Sequence, residues 1–200
     1  MKKWFLFFVV CYSIGASAQD KWTVETAQAY QKTLNEEYAD KKQSPLTDED
    51  FKVFKTLDFY PIDEKFAVEA KFLRSENEKA FKMKTTGNRL PEYVKYGELH
   101  FFIDGKALQL NVYQNIELIR KPGYEDYLFL PFSDLTCGKE SYIGGRYIDL
   151  RIPKTNTILI DFNTAYNPYC AYNHKYSCPI MPLENDLAVE IEAGVKKLHD

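Results

Sequence analysis

Long hydrophobic runs are what this sequence lacks most. The longest, from Trp4 to Ile14, has 11 residues, about half of the roughly 20 helical residues that a bilayer requires. Histidine is scarce as well, at three in 200 residues, and inside the folded part of the chain only His100 and His174 are available for nucleophilic or metal chemistry. No CxxC pair and no GxSxG elbow occurs. Gly144-Gly145 lacks the longer spacing and the following helix of a phosphate loop, so it reads as a bulge or a close backbone approach. Basic charge is in deficit, with 26 Lys and Arg against 29 Asp and Glu. Nucleic acid, which leans on a basic face, is not an expected partner.

What is present begins with the first eighteen residues, MKKWFLFFVVCYSIGASA. Two lysines, the short apolar run and Ala16-Ser17-Ala18 follow the three-part plan of a secretory signal peptide, with cleavage expected after Ala18. Cys11 sits inside the run and leaves with it. Export to the periplasm or the extracellular space is the expected localisation, with no membrane span after cleavage. Residues 1–18 carry Lys2 and Lys3 and no acid, so the mature chain holds 24 basic and 29 acidic groups, a net charge of −5. Residues 19–200 fit one domain, long enough to bury about two thirds of its unfolded surface.

Aromatics are abundant: 15 Tyr and 14 Phe, far too many for a disordered chain. Ala27, Tyr30, Leu34 and Tyr38 recur at spacings of three and four and predict one amphipathic helix over 22–39. Thr47 with Asp50 forms a capping box before a short helical turn. From Lys65 the texture changes to period two. FAVEAKFL, FKMKTT, ELHFFI, KALQLNVYQ, YLFLPF, GRYIDL, TILIDF and LAVEIEAG each read as a strand, with Asp104-Gly105 as the turn of a tight hairpin. Strands this close together leave no room for crossover helices. The predicted fold is mainly β: an antiparallel barrel or sandwich with one N-terminal helix and a long C-terminal loop.

GGRYIDL, DFNTAYNPYCAY, SCPIMPLEN and VEIEAG, together with SPLTDEDFKVFKTLDFYPID, TTG at 85–87, YGELHFFIDGK and LFLPFSDLT, resemble the blocks of a bacterial and archaeal family known as domain of unknown function 1684. The resemblance spans nearly all of the mature chain. Two positions depart from the family pattern. Val195 follows Ala193-Gly194 where a glutamate is usual, and Met181-Pro182 replaces a double proline. The resemblance implies the limits of the fold and draws attention to the C-terminal third, but implies no activity.

That third contains AYNPYCAYNHKYSCP, residues 165–179. In an exported chain Cys170 and Cys178 are the candidate disulfide, closing a nine-residue loop for a gain of about 2.6 kcal/mol in loop entropy. Two other arrangements compete with it. Cys170, His174 and Cys178 are spaced four and four, so with Cys137 or His100 they would supply a zinc site, although Pro168 and Pro179 argue against the helix this needs. Alternatively all three cysteines stay reduced. No cofactor or metal is assigned.

Among the polar residues, alternation in GGRYIDL places Tyr147 and Asp149 on one face of a strand, with Arg146 on the other. If the GRYIDL and TILIDF strands are neighbours, Asp149, Asp161 and Asn163 line one polar face. Candidate ligand-binding residues are therefore Arg146, Tyr147, Asp149, Asp161, Asn163, Tyr166, Asn167, Tyr172 and Asn185, around a small or extended ligand held non-covalently. A hydrolase using Asp149 or Asp161 with Arg146 and a tyrosine is the alternative, and a purely structural envelope module is the third reading.

Overall fold

The structure is a computed structural model and describes residues 22–198; the expected signal peptide lies outside them. Helix α1, Val24–Ala39, starts at Thr23, whose side chain accepts from the Thr26 N–H while the Thr26 side chain caps the Thr23 N–H in return. Only Ala27, Leu34 and Tyr38 are buried along it. Leu34 and Tyr38 join Leu46, Leu57, Tyr172 and Val195 in a satellite apolar cluster that ties the helix to the C-terminal segment. Helix α2, Asp48–Val53, is the expected short turn. The Thr47 hydroxyl accepts from the Asp50 N–H at 3.1 Å and donates to the Asp50 carboxylate at 2.7 Å.

Seven strands form one antiparallel sheet: β1 Ala67–Arg74, β2 Phe81–Lys82, β3 Glu92–Ile103, β4 Lys106–Asn115, β5 Tyr127–Phe132, β6 Arg146–Arg151 and β7 Thr157–Asp161. Their order is β6-β5-β4-β3-β1-β7, with β2 added to β3. The β3–β4 hairpin turns at Asp104 and Gly105, with φ of 50° and 74°, the positive values that this pair tolerates. The sheet curls into a half-barrel. Strands β6 and β7 stand at its opposite ends, so the neighbour pairing on which a shared Asp149–Asp161 face depends does not form.

Alternation divides the side chains between two environments. Leu99, Leu110, Leu128, Leu130, Ile148 and Ile160 point into the main core. On the other face Tyr93, Tyr113, Phe129 and Tyr147 make an aromatic layer with Met83, flanked by Tyr127 and Tyr166. The period-two pattern of LAVEIEAG predicts a closing strand, but no ladder forms there. Leu187, Val189, Ile191 and Ala193 do enter the main core. The segment's backbone is satisfied partly by backbone, with the Leu187 N–H donating to the Ser133 carbonyl at 2.8 Å and the Val189 carbonyl accepting from the Leu135 N–H at 2.9 Å, and partly by side chains: the buried Arg146 guanidinium donates to the carbonyls of Ile191, at 2.8 Å, and Ala193, and the Ile191 N–H donates to Asp134 Oδ1 at 3.2 Å. An extended segment needs partners for its polar groups, not necessarily a second strand.

Candidate functional site

The aromatic layer is the floor of a cleft of about 520 Å³, within the range of small-molecule sites. Strands β3, β5 and β6 contribute Tyr93, Tyr127, Phe129, Tyr147 and Asp149. Tyr30, Thr33, Leu34 and Glu37 of α1 form one wall, and Tyr166, Pro168 and Tyr169 of the C-terminal loop form another. Arg89 and the stretch Tyr176 to Pro179 close the far side. Phe129 and Tyr147 stand edge to face, with centroids 4.7 Å apart at 74°, and Tyr147 and Tyr166 meet at 90° over 5.9 Å. Rings set at right angles expose faces as well as edges to the space between them.

Asp149 is the polar focus. It is exposed at the cleft, and its Oδ1 accepts the hydroxyls of Tyr127 at 2.7 Å and Tyr166 at 2.8 Å. Burial, reinforced by the Asp149 charge, pushes both phenols well above the ordinary tyrosine range. Both therefore stay protonated and keep donating to the carboxylate at neutral pH. The Tyr147 hydroxyl donates to the Pro179 carbonyl, which fixes the floor to the C-terminal loop.

That loop is held by the turn at Thr85, Thr86 and Gly87. The Thr86 N–H donates to the Cys178 carbonyl at 2.9 Å, and the Cys178 N–H donates to the Thr86 hydroxyl at 3.1 Å. Thr85 and Ser177 hydroxyls lie 2.7 Å apart. A Cβ at Gly87 would come within 2.7 Å of Ser177 Oγ, so this close approach needs glycine. The Arg89 guanidinium donates to the Ser177 carbonyl.

Cys170 and Cys178 are buried and free, so the expected disulfide is not formed in this structure. They are nevertheless neighbours, with the Cys170 N–H donating to Cys178 Sγ at 3.2 Å. The Cys178 thiol, helped by Thr86 and Tyr142, donates to Cys170 and lowers its pKa to about 6, while that same bond pushes Cys178 up. His174 does not join them: among the described residues no group of three or more His, Cys, Asp or Glu side chains is placed to hold a metal ion. Cys137 lies elsewhere, accepting from the Asp134 N–H at 3.5 Å.

Of the nine candidate ligand residues, Tyr147, Asp149 and Tyr166 line the cleft. The other six are engaged in the scaffold. Arg146 is fully buried on the opposite side of β6 and pairs with Asp134 at 2.7 Å. Asp161 accepts from the Trp22 indole at 2.9 Å and from the Asn163 side chain at 2.9 Å. Asn163 also bridges to the Asp63 backbone, accepting from its N–H and donating to its carbonyl, both at 3.0 Å. Asn167 donates to the Tyr172 hydroxyl at 3.1 Å and to the Lys196 carbonyl at 2.9 Å. Asn185 is buried between β4 and β5, accepting the Asn111 N–H and donating to the Asn111 carbonyl, each at 2.8 Å. The alternative catalytic set of Asp149 or Asp161 with Arg146 is not brought together.

Tyr30, Glu37, Arg89, Tyr93 and Tyr127 are cleft residues that the sequence reading did not select. Tyr127 and Phe129 carried a usable signal, since they alternate with the core residues Leu128 and Leu130. Arg89 carried none, because a loop of irregular backbone places it.

An antiparallel half-barrel with a tyrosine-lined cleft between one helix and a C-terminal loop defines the structural class. The chain belongs to the family described as protein of unknown function (DUF1684), whose profile matches residues 52–196. It is similar in structure to the uncharacterized protein from gene locus rrnAC0354 of Haloarcula marismortui, solved in solution by NMR. That match has a TM-score of 0.68 and 30% identity, covering 86% of this chain and 92% of that one. No curated protein matches the sequence.

Proposed function

We propose that this is an exported binding protein that holds a small ligand non-covalently in the cleft between α1, the sheet and the C-terminal loop. The observation that carries the reading is a preformed space of about 520 Å³ walled by tyrosines whose hydroxyl groups are fixed to Asp149 and Pro179. Side chains with apolar bodies and oriented polar tips suit ligand recognition, because a small number of fixed polar groups sets orientation while the rings supply contact area. Family membership assigns no activity, so the geometry is the support. Among the described residues no helix is long and apolar enough to cross a membrane.

A fragment screen by ligand-observed NMR against residues 19–200 tests the reading. Thr33 is exposed on α1 and lines the cleft, so Thr33→Trp fills the space without touching the core. Hits that bind the parent chain and are lost in Thr33→Trp are expected; hits that survive it would place binding elsewhere and refute the assignment.

Export enters through the signal peptide over residues 1–18, with the mature chain starting at Gln19. In an oxidising compartment the adjacent Cys170 and Cys178 would join as a disulfide. Intact mass measurement of the protein secreted from cells decides both points. A mass beginning at Gln19, two units lighter than the reduced form in the peptide holding Cys170 and Cys178, is expected. Retention of residues 1–18 would sink export, and two alkylatable thiols in the unreduced protein would sink the disulfide.

A further inference from the structure

We infer that the ligand of this cleft carries an ammonium group, seated on the tyrosine faces against the Asp149 carboxylate. This rests on the binding function proposed above and adds to it the chemical class of what is bound. The first observation is the fate of the hydroxyl protons. Tyr127 and Tyr166 both donate to Asp149 Oδ1, at 2.7 and 2.8 Å, and Tyr147 donates to the Pro179 carbonyl. A hydroxyl has one proton to give. These three phenols therefore offer the cleft oxygen lone pairs and ring faces, and no donor.

The second observation is charge. The charged side chains lining the cleft are Glu37, Asp149 and Arg89, two carboxylates to one guanidinium, and the guanidinium already donates to the Ser177 carbonyl. A phosphate, sulfate or carboxylate ligand would meet two like charges for one opposite charge. A neutral polyol would leave the excess of carboxylate charge, and the Asp149 carboxylate in particular, without a counter-charge. An ammonium group asks only for acceptors, negative charge and aromatic faces. Tyr147 and Tyr166, perpendicular to each other, line the cleft beside Asp149, and a cation over the face of a tyrosine ring is attracted by its quadrupole. Tyr30 and Tyr169 extend the aromatic surface beyond these two rings, where the apolar body of the ligand would lie.

Three probes of related shape and different charge test the inference in residues 19–200: phenyltrimethylammonium, its uncharged isostere tert-butylbenzene, and the anion 4-tert-butylbenzoate, which adds a carboxylate to that frame. Titrations followed by NMR chemical shifts are expected to show the cation bound about tenfold or more tighter than either of the others. Raising sodium chloride from about 50 to about 500 mM should shrink that preference, since an exposed carboxylate is screened. Asp149→Asn, with its fold checked by circular dichroism, should abolish the preference for the cation; the salt series supplies the same answer in the unaltered protein if that variant fails to fold. Equal binding of cation and isostere, or preference for the anion, overturns the inference while the binding function stands. Failure of all three probes also overturns it, and the fragment screen with Thr33→Trp then decides the binding function separately.

Discussion

Replacing Arg146 with methionine separates a scaffold role from a ligand-binding one. The guanidinium and the Asp134 carboxylate are both without exposed surface and meet at 2.7 Å. The same guanidinium satisfies the carbonyls of Ile191 and Ala193. Methionine keeps most of the side-chain volume but strands a buried carboxylate, whose remaining donors are the N–H groups of Thr136 at 2.8 Å and Ile191 at 3.2 Å and the weak Cys137 thiol at 4.0 Å. Breaking one side of a buried ion pair costs about 3–5 kcal/mol, a large share of the roughly 5–15 kcal/mol that holds a domain together. Urea unfolding followed by far-UV circular dichroism should show the midpoint falling by that equivalent with an unchanged slope. Removing the orphaned charge as well, in Arg146→Met/Asp134→Leu, should restore only part of the loss, since the charge is gone but the carbonyls of Ile191 and Ala193 and the N–H groups of Thr136 and Ile191 lose those side-chain partners. If Arg146→Met instead keeps parental stability and loses cleft ligands, Arg146 belongs to the binding site and the burial argument fails.

Three further outcomes follow from local geometry. Gly194 has φ of +77°, and a Cβ there would lie 2.5 Å from the Ala165 carbonyl oxygen; Gly194→Ala should cost about 1–3 kcal/mol in backbone strain and lower the melting temperature by roughly 2–12 °C for a domain of this size, whereas an unchanged melt would refute the close approach. Tyr127, Tyr147 and Tyr166 are raised above their ordinary value of 10.0, chiefly by burial. The unfolded chain thus ionises first, so their stabilising share is complete below pH 10 and disappears as pH rises beyond it; the tyrosinate absorbance lost in Tyr127→Phe, Tyr147→Phe and Tyr166→Phe variants, taken as a difference from the parent, should appear together with loss of the fold, and its gradual appearance in a folded protein would contradict this. In the reduced protein Cys170 should alkylate with a midpoint near pH 6, moving toward the ordinary thiol range in Cys178→Ala, because the bond from the Cys178 thiol is the largest cause of the shift. An unmoved midpoint would exclude that cause.

How much of this was legible in the chain depends on the distance over which each feature is encoded. Helix α1, the Thr47 cap and the Asp104-Gly105 hairpin are local events, set by neighbours within four residues, and all three form as their residues predict. Tyr147 and Asp149 were assigned correctly to one face because strand alternation is also local. Errors entered where polar side chains had to choose between ligand and scaffold. Arg146, Asn163, Asn167 and Asn185 look like recognition residues in the sequence, yet each satisfies backbone groups of chain segments remote in sequence, such as Asn185 on Asn111 and Arg146 on Ile191. The same long-range bonds explain why LAVEIEAG is extended without being a strand. With Arg146 and Asp134 serving the polar groups of Ile191 and Ala193, and the backbone of Ser133 and Leu135 serving those of Leu187 and Val189, its apolar residues enter the core without a ladder. A buried asparagine or arginine beside an irregular segment is thus the expected substitute for a missing strand partner, and the residues left over for ligand are those whose polar tips point at one another across open space, as the hydroxyls of Tyr127 and Tyr166 do at Asp149.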